Sequence, residues 1–160
     1  TRAGEHYNTA VDTLQKARAV ADADSRPAVA IDLAGLQSEM AFTMREEAIA
    51  HQAYADLLSV IASQTRNGFP KPQAATINTM TEDAVRRAAE AKAEAVDALN
   101  KAEELLTDAD SAIRGDIELR KIVLGQQVGV LNTIAEMTGE LAPRQKANGA
   151  AAELRELESK

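Results

Sequence analysis

Two histidines, His6 and His51, are the side chains in this 160-residue sequence whose ordinary pKa suits proton transfer near neutral pH. His51 follows Glu47 by four residues, one helical turn, a spacing that serves either a surface ion pair or two ligands of a metal. A di-iron bundle needs a Glu-x-x-His step on two helices and two further glutamates. The chain lacks that set, so His51 is expected to be a solvated or packed histidine. Carboxylates also gather at Asp22-Ala23-Asp24-Ser25 and again at Asp108-Ala109-Asp110-Ser111. A calcium loop would need a third oxygen ligand, a glycine and a closing glutamate, and neither segment supplies them. Helix capping explains them better: Asp24, Ser25, Asp110 and Ser111 suit N-caps, and their charge suits the positive end of a helix dipole. Thr81-Glu82-Asp83 and Arg45-Glu46-Glu47 are read as solvated helix surface.

The absence of cysteine removes disulfides, thiolate zinc sites, iron–sulfur clusters and a thiol nucleophile together. No glycine-rich phosphate loop, nucleophile elbow or glycosylation sequon is present either. No catalytic residue, metal ligand or cofactor is therefore assigned, and the sequence reads as that of a non-enzyme. A net charge of -7 and only four aromatic residues argue against a nucleic-acid partner, which phosphate contacts and base stacking would have to hold. No stretch nears the roughly 18 to 20 apolar residues of a membrane span, so no membrane insertion is expected. The chain opens at Thr1 without a methionine or a signal-type apolar region, which suits a processed or excised fragment and leaves the compartment open.

With 45% apolar residues but 2% aromatics, the core must be aliphatic and alanine-rich, a composition that favours helices. Tyr7, Ala10, Val11, Leu14, Ala17 and Ala21 recur at three- and four-residue steps, predicting a helix over about 3–23. Pro27 suits the first turn of a second helix that runs to about Thr65. Its stripe is Val29, Leu33, Leu36, Met40, Met44, Ala48, Leu57, Leu58 and Ile61. Two prolines and an Asn-Gly between Arg66 and Pro72 then mark a linker. A third helix is predicted over about 75–107. Along it Ala84, Ala88, Ala91, Ala95, Ala98 and Ala102 alternate steps of four and three, a seam of small side chains where another helix could approach closely. These six form the candidate interaction face. A fourth helix should start after Ser111, with one stripe at Ile113, Ile117, Leu124, Val128 and Leu131 and a second through Leu119, Ile122, Val130, Ile134, Met137 and Leu141. Apolar on two sides, it should be buried on two sides. Gly139, Pro143 and Asn148-Gly149 are read as its breakers, leaving a short terminal helix over 150–158.

Two segments repeat. Ala10–Ala17 matches Ala95–Ala102 at an offset of 85 residues, and the Asp-Ala-Asp-Ser segment recurs at an offset of 86. The expected fold is all-α: an elongated antiparallel four-helix bundle of two duplicated long helical hairpins with a short C-terminal helix. It forms one domain over 1–160, with hairpin one at 1–65, a linker at 66–74, hairpin two at 75–142 and an extension at 143–160. Ala95, Leu99 and Ala102 resemble the second helix of a tetratricopeptide unit over about a dozen residues, as does Glu47–Ala55. That family repeats every 34 residues with a glycine and aromatics in its first helix. This chain has neither the period nor those residues.

Long stripes, duplication and no chemical site point to a structural or protein-interaction module whose partner is a protein, the chain itself included. The alternative is an extracytoplasmic four-helix-bundle sensor domain excised from a membrane receptor, because Leu33–Met40 resembles motifs of such helical sensors.

Overall fold

The structure, a computed structural model, describes residues 2–64 and 71–159, with the side chains of 7–64 and 73–159. The linker residues 65–70 and the His6 side chain lie outside the described part. The regular structure of the described residues is all helical: α1 (Arg2–Val20), α2 (Arg26–Gln64), α3 (Lys71–Ala112), α4 (Ile117–Thr138) and α5 (Leu141–Glu158). The helices gather in two compact units, Thr1–Ala41 with Val96–Lys160, and Phe42–Ala95.

The first unit combines α1, the start of α2, the end of α3, α4 and α5. The α1 residues Tyr7, Ala10, Val11, Leu14 and Ala17 form its inner face, half-buried throughout. Deeper burial falls to Ala30, Ile31, Leu33 and Ala34 of α2, to Leu99, Ala102, Leu106 and Ala109 of α3, and to α4. In α4 the buried residues are Val123, Leu124, Val130, Leu131, Ile134, Ala135 and Met137. Each large aliphatic side chain among them contributes about 1.5–3 kcal/mol by leaving water. The two-sided burial expected of α4 holds only in its C-terminal half: Ile113 precedes the helix, and Ile117 and Ile122 are half exposed.

Several predicted boundaries move. The third helix starts at Lys71 rather than at 75, with Pro72 in its first turn where no N–H is needed. It ends at Ala112 rather than at 107, so Asp108, Asp110 and Ser111 are helical residues and cap nothing. The cap of α4 is Asp116, whose carboxylate accepts the Leu119 N–H at 2.9 Å. At the start of α2 the carboxylate is likewise Asp22, which accepts the Ser25 backbone N–H at 2.8 Å and the Ser25 hydroxyl as well. The two Asp-Ala-Asp-Ser segments thus adopt different conformations, one a turn and one a helix.

Gly139 ends α4 as expected, in the left-handed conformation (φ 76°), with its N–H on the Ala135 carbonyl. The chain does not stay irregular until residue 150, however. α5 begins at Leu141 and spans 18 residues, so the terminal helix expected over 150–158 ends where predicted but starts at 141. Pro143 lies in its first turn, and Asn148 and Gly149 are exposed mid-helix, where glycine costs only about 1 kcal/mol. α5 packs on α4, with Ala147 fully buried and Ala150, Ala151, Leu154 and Leu157 partly buried on the same side.

The second unit is the two-helix pair formed by the end of α2 and the start of α3. Its buried residues are Ala55 and Leu58 on α2 and Ala84, Ala88, Ala91 and Ala95 on α3. Glu47 and His51 stand beside Arg86, Glu90 and Glu94, which fixes the two helices side by side. Among the described residues no helix is long and apolar enough to cross a membrane.

Candidate functional site

The six seam alanines are all buried within the chain, at 0–8% exposure. Ala84, Ala88, Ala91 and Ala95 lie in the two-helix unit, and Ala98 and Ala102 lie in the first unit. They line helix contacts inside the protein and present no open surface. Ala34, Ala41 and Ala55 of α2 are buried as well. Together with the half-buried Ala48 and Ala62 they recur every seven residues, a second alanine line that a search for large apolar residues passes over.

His51 and Glu47 approach to 3.7 Å beside a small polar hollow flanked by Arg86, Arg87, Glu90 and Glu94. The arginines are engaged there: Arg86 donates to Glu90 at 2.9 Å and to Asp83, and Arg87 lies 2.9 Å from Asp83. The bond from Arg86 holds the Asp83 carboxyl below its ordinary value. Of the carboxylates beside His51, Glu90 is thus taken up by Arg86. Among the described residues no group of three His, Asp or Glu is placed to hold one.

A larger opening lies in the first unit, a cavity of about 720 Å³ bounded by α1, α2 and α3. That volume falls in the range of about 300–1,000 Å³ typical of small-molecule pockets. Leu33 and Leu105, both buried, supply its apolar wall. Arg18 of α1 and Asp108 of α3 close one side as an ion pair at 2.7 Å. Lys101 also faces the cavity and is paired at 2.6 Å with Asp97. Arg26 reaches in from the first turn of α2, using one N–H on the Ala21 carbonyl at 3.2 Å.

Gln15, Ala19 and Glu104 also line the wall, as does Gln37, the one buried polar side chain among the described residues, at 7% exposure. It occupies a step of the line Ala30, Ala34, Gln37, Ala41, where an apolar residue would be expected. No described residue hydrogen-bonds its amide. The amide is nonetheless not sealed in, because among the described residues no side-chain polar atom is both buried and unpaired; it opens into the cavity. Periodicity reading counts apolar positions, so it marks Leu33 and passes over Gln37; the signal available was a glutamine at the inner step of an alanine line.

No protein-family model, curated protein or solved structure matches this chain.

Proposed function

We propose that the protein is a non-enzymatic helical interaction module that pairs with a second copy of itself through the outer face of α2 in the two-helix unit. The observation that carries this reading is the exposure of Phe42, Ile49, Leu57 and Val60, at 49–59% each. At 100° per residue, Phe42, Ile49 and Val60 point within about 20° of one direction, and Leu57 lies about 60° from it. The buried Ala55 and Leu58 lie on the opposite side. A helix apolar on two sides and covered on one has a face left to fill. The alanine core of this unit removes little apolar area from water, so a further layer would add most of the available stabilisation.

Charge supports a second copy as the occupant. Arg45 and Asp56 flank the same edge of the stripe, and Arg45 lies over the Phe42 ring at 5.9 Å. A two-fold, antiparallel pairing centred near His51 would set Phe42 against Val60 and Arg45 against Asp56 of the other copy, twice over. The reading of α1–α2 and α3–α4 as hairpins of common origin belongs to the same proposal. It rests on the repeated sequence alone, since the equivalent Asp22–Ser25 and Asp108–Ser111 segments differ in conformation.

Sedimentation equilibrium of the native chain and of Ile49→Glu/Leu57→Glu tests the pairing. A native dimer and a variant monomer of unchanged helix content are expected. A native chain that remains monomeric at high micromolar concentration overturns the proposal.

A further inference from the structure

We infer that the cavity between α1, α2 and α3 of the first unit binds a small zwitterion of the amino-acid class, carrying one carboxylate and one ammonium group. Four of its wall groups have unspent bonding capacity, the exposed Gln15, Arg26 and Glu104 and the buried Gln37, and they differ in kind. Arg26 has five N–H donors and spends one, on Ala21. Glu104 has no ion pair or hydrogen bond with any described residue. Gln37 has none either, although it is more than nine-tenths buried. The other charges of the wall are already matched, Arg18 with Asp108 and Lys101 with Asp97.

What remains is one cation, one anion and two neutral amides, Gln15 and Gln37, around a single opening. Arg26 and Glu104 face the same cavity yet make no ion pair with each other. A simple anion would satisfy Arg26 and be repelled by Glu104; a simple cation would do the reverse. A molecule with both charges satisfies the two together, its carboxylate on the guanidinium and its ammonium on the Glu104 carboxylate. Gln37 then offers a donor and an acceptor to the ligand's polar atoms, and Leu33 and Leu105 give its carbon skeleton an apolar wall. The Gln37 amide has no protein partner and opens into the cavity, so its donor and acceptor are available to whatever occupies that space. This site is independent of the self-association proposed above, since it uses residues of the first unit alone.

Thermal-shift and calorimetric titration of the full chain with the free amino acids tests it, with succinate and 1,4-diaminobutane as singly signed controls. At least one amino acid should raise Tm and bind saturably, while neither control does. Arg26→Gln and Glu104→Gln should each weaken that binding by about tenfold or more, the loss expected when one partner of a charge-assisted contact is removed. Gln37→Leu should abolish binding yet raise the Tm of the unliganded protein, because leucine fills the position without an unpaired amide. The inference fails if no amino acid binds, if succinate or the diamine binds as tightly as any amino acid, or if Gln37→Leu lowers the Tm of the unliganded chain.

Discussion

Arg120 of α4 donates its Nε–H to Asp110 of α3 across 3.0 Å, while its terminal nitrogen reaches Glu153 of α5. One guanidinium thus joins three helices, and the bond to Asp110 holds its pKa above the ordinary arginine value. The group is partly exposed, so each pair contributes modestly, but the three members share one geometry. Arg120→Met should lower stability by about 0.5–1 kcal/mol. Amide hydrogen exchange should quicken in α5 more than in α3; equal quickening in both would mean that Arg120 does not hold α5.

The capping carboxylates should show in the acid limb of stability. Asp22 sits below its ordinary value of 3.8, first because the Ser25 hydroxyl donates to it and then through the Ser25 N–H. A depressed folded pKa contributes stability that is complete above about 3.8 and is lost as pH falls through the lower folded value. Urea midpoints of the native chain should therefore drop as pH falls below that value. Asp22→Asn should show a shallower drop. An unchanged acid limb in the variant would remove Asp22 as a contributor.

Asp116 offers a direct measure of capping in the same unit. Asp116→Ala leaves the Leu119 N–H without its side-chain acceptor and should cost about 1 kcal/mol in chemical unfolding. Asp110→Ala, at a position that sequence reasoning made the cap, should leave the start of α4 intact by hydrogen exchange.

Three glycines separate conformational need from packing. Gly125 and Gly129 lie mid-helix in α4 with open space where a Cβ would stand. Replacing either with alanine should stabilise the protein by about 0.5–1 kcal/mol. Gly139 has equal space but a positive φ of 76°, so Gly139→Ala should destabilise it by a similar amount. Thermal melts of the three single variants read the opposite signs.

The seam should be intolerant of bulk. Ala95 and Ala102 are both 0% exposed, and leucine at either would force helices apart or rotamers off their minima, costing about 1–3 kcal/mol. Leucine at the exposed Ala89 or Ala93 should be close to neutral by the same melts.

The helical class and most stripes were legible because periodicity in aliphatic residues is a direct record of which side faces inward. Tyr7 to Ala17 turns inward as its spacing requires. The boundaries were less legible. Asp108–Ser111 repeats a turn sequence, yet Leu105, Leu106 and Ala109 are buried around it and carry the helix through. The first half of α5 was hidden because Pro143 and Asn148-Gly149 look like breakers; one falls in a first turn and the other on an exposed side, and packing of Ala147 and its neighbours on α4 outweighs them. Val123, fully buried, belonged to neither predicted stripe of α4. Gln37 was invisible because a lone amide in an alanine line carries meaning only once an opening is seen beside it.

Methyl groups have no rotamers to freeze, so the inner side of the two-helix unit forms at almost no side-chain entropy. They also lack distinguishing shape. Ala84 and Ala91, like Ala88 and Ala95, are interchangeable under a slide of seven residues, after which one smooth rail still meets another. Alignment of this pair must then be dictated from the margins, by Leu58 and by the polar edge where Glu47 and His51 of α2 stand beside Arg86, Glu90 and Glu94 of α3. Exchanging those marginal residues would shift the rail by a notch and leave its bearing surface untouched.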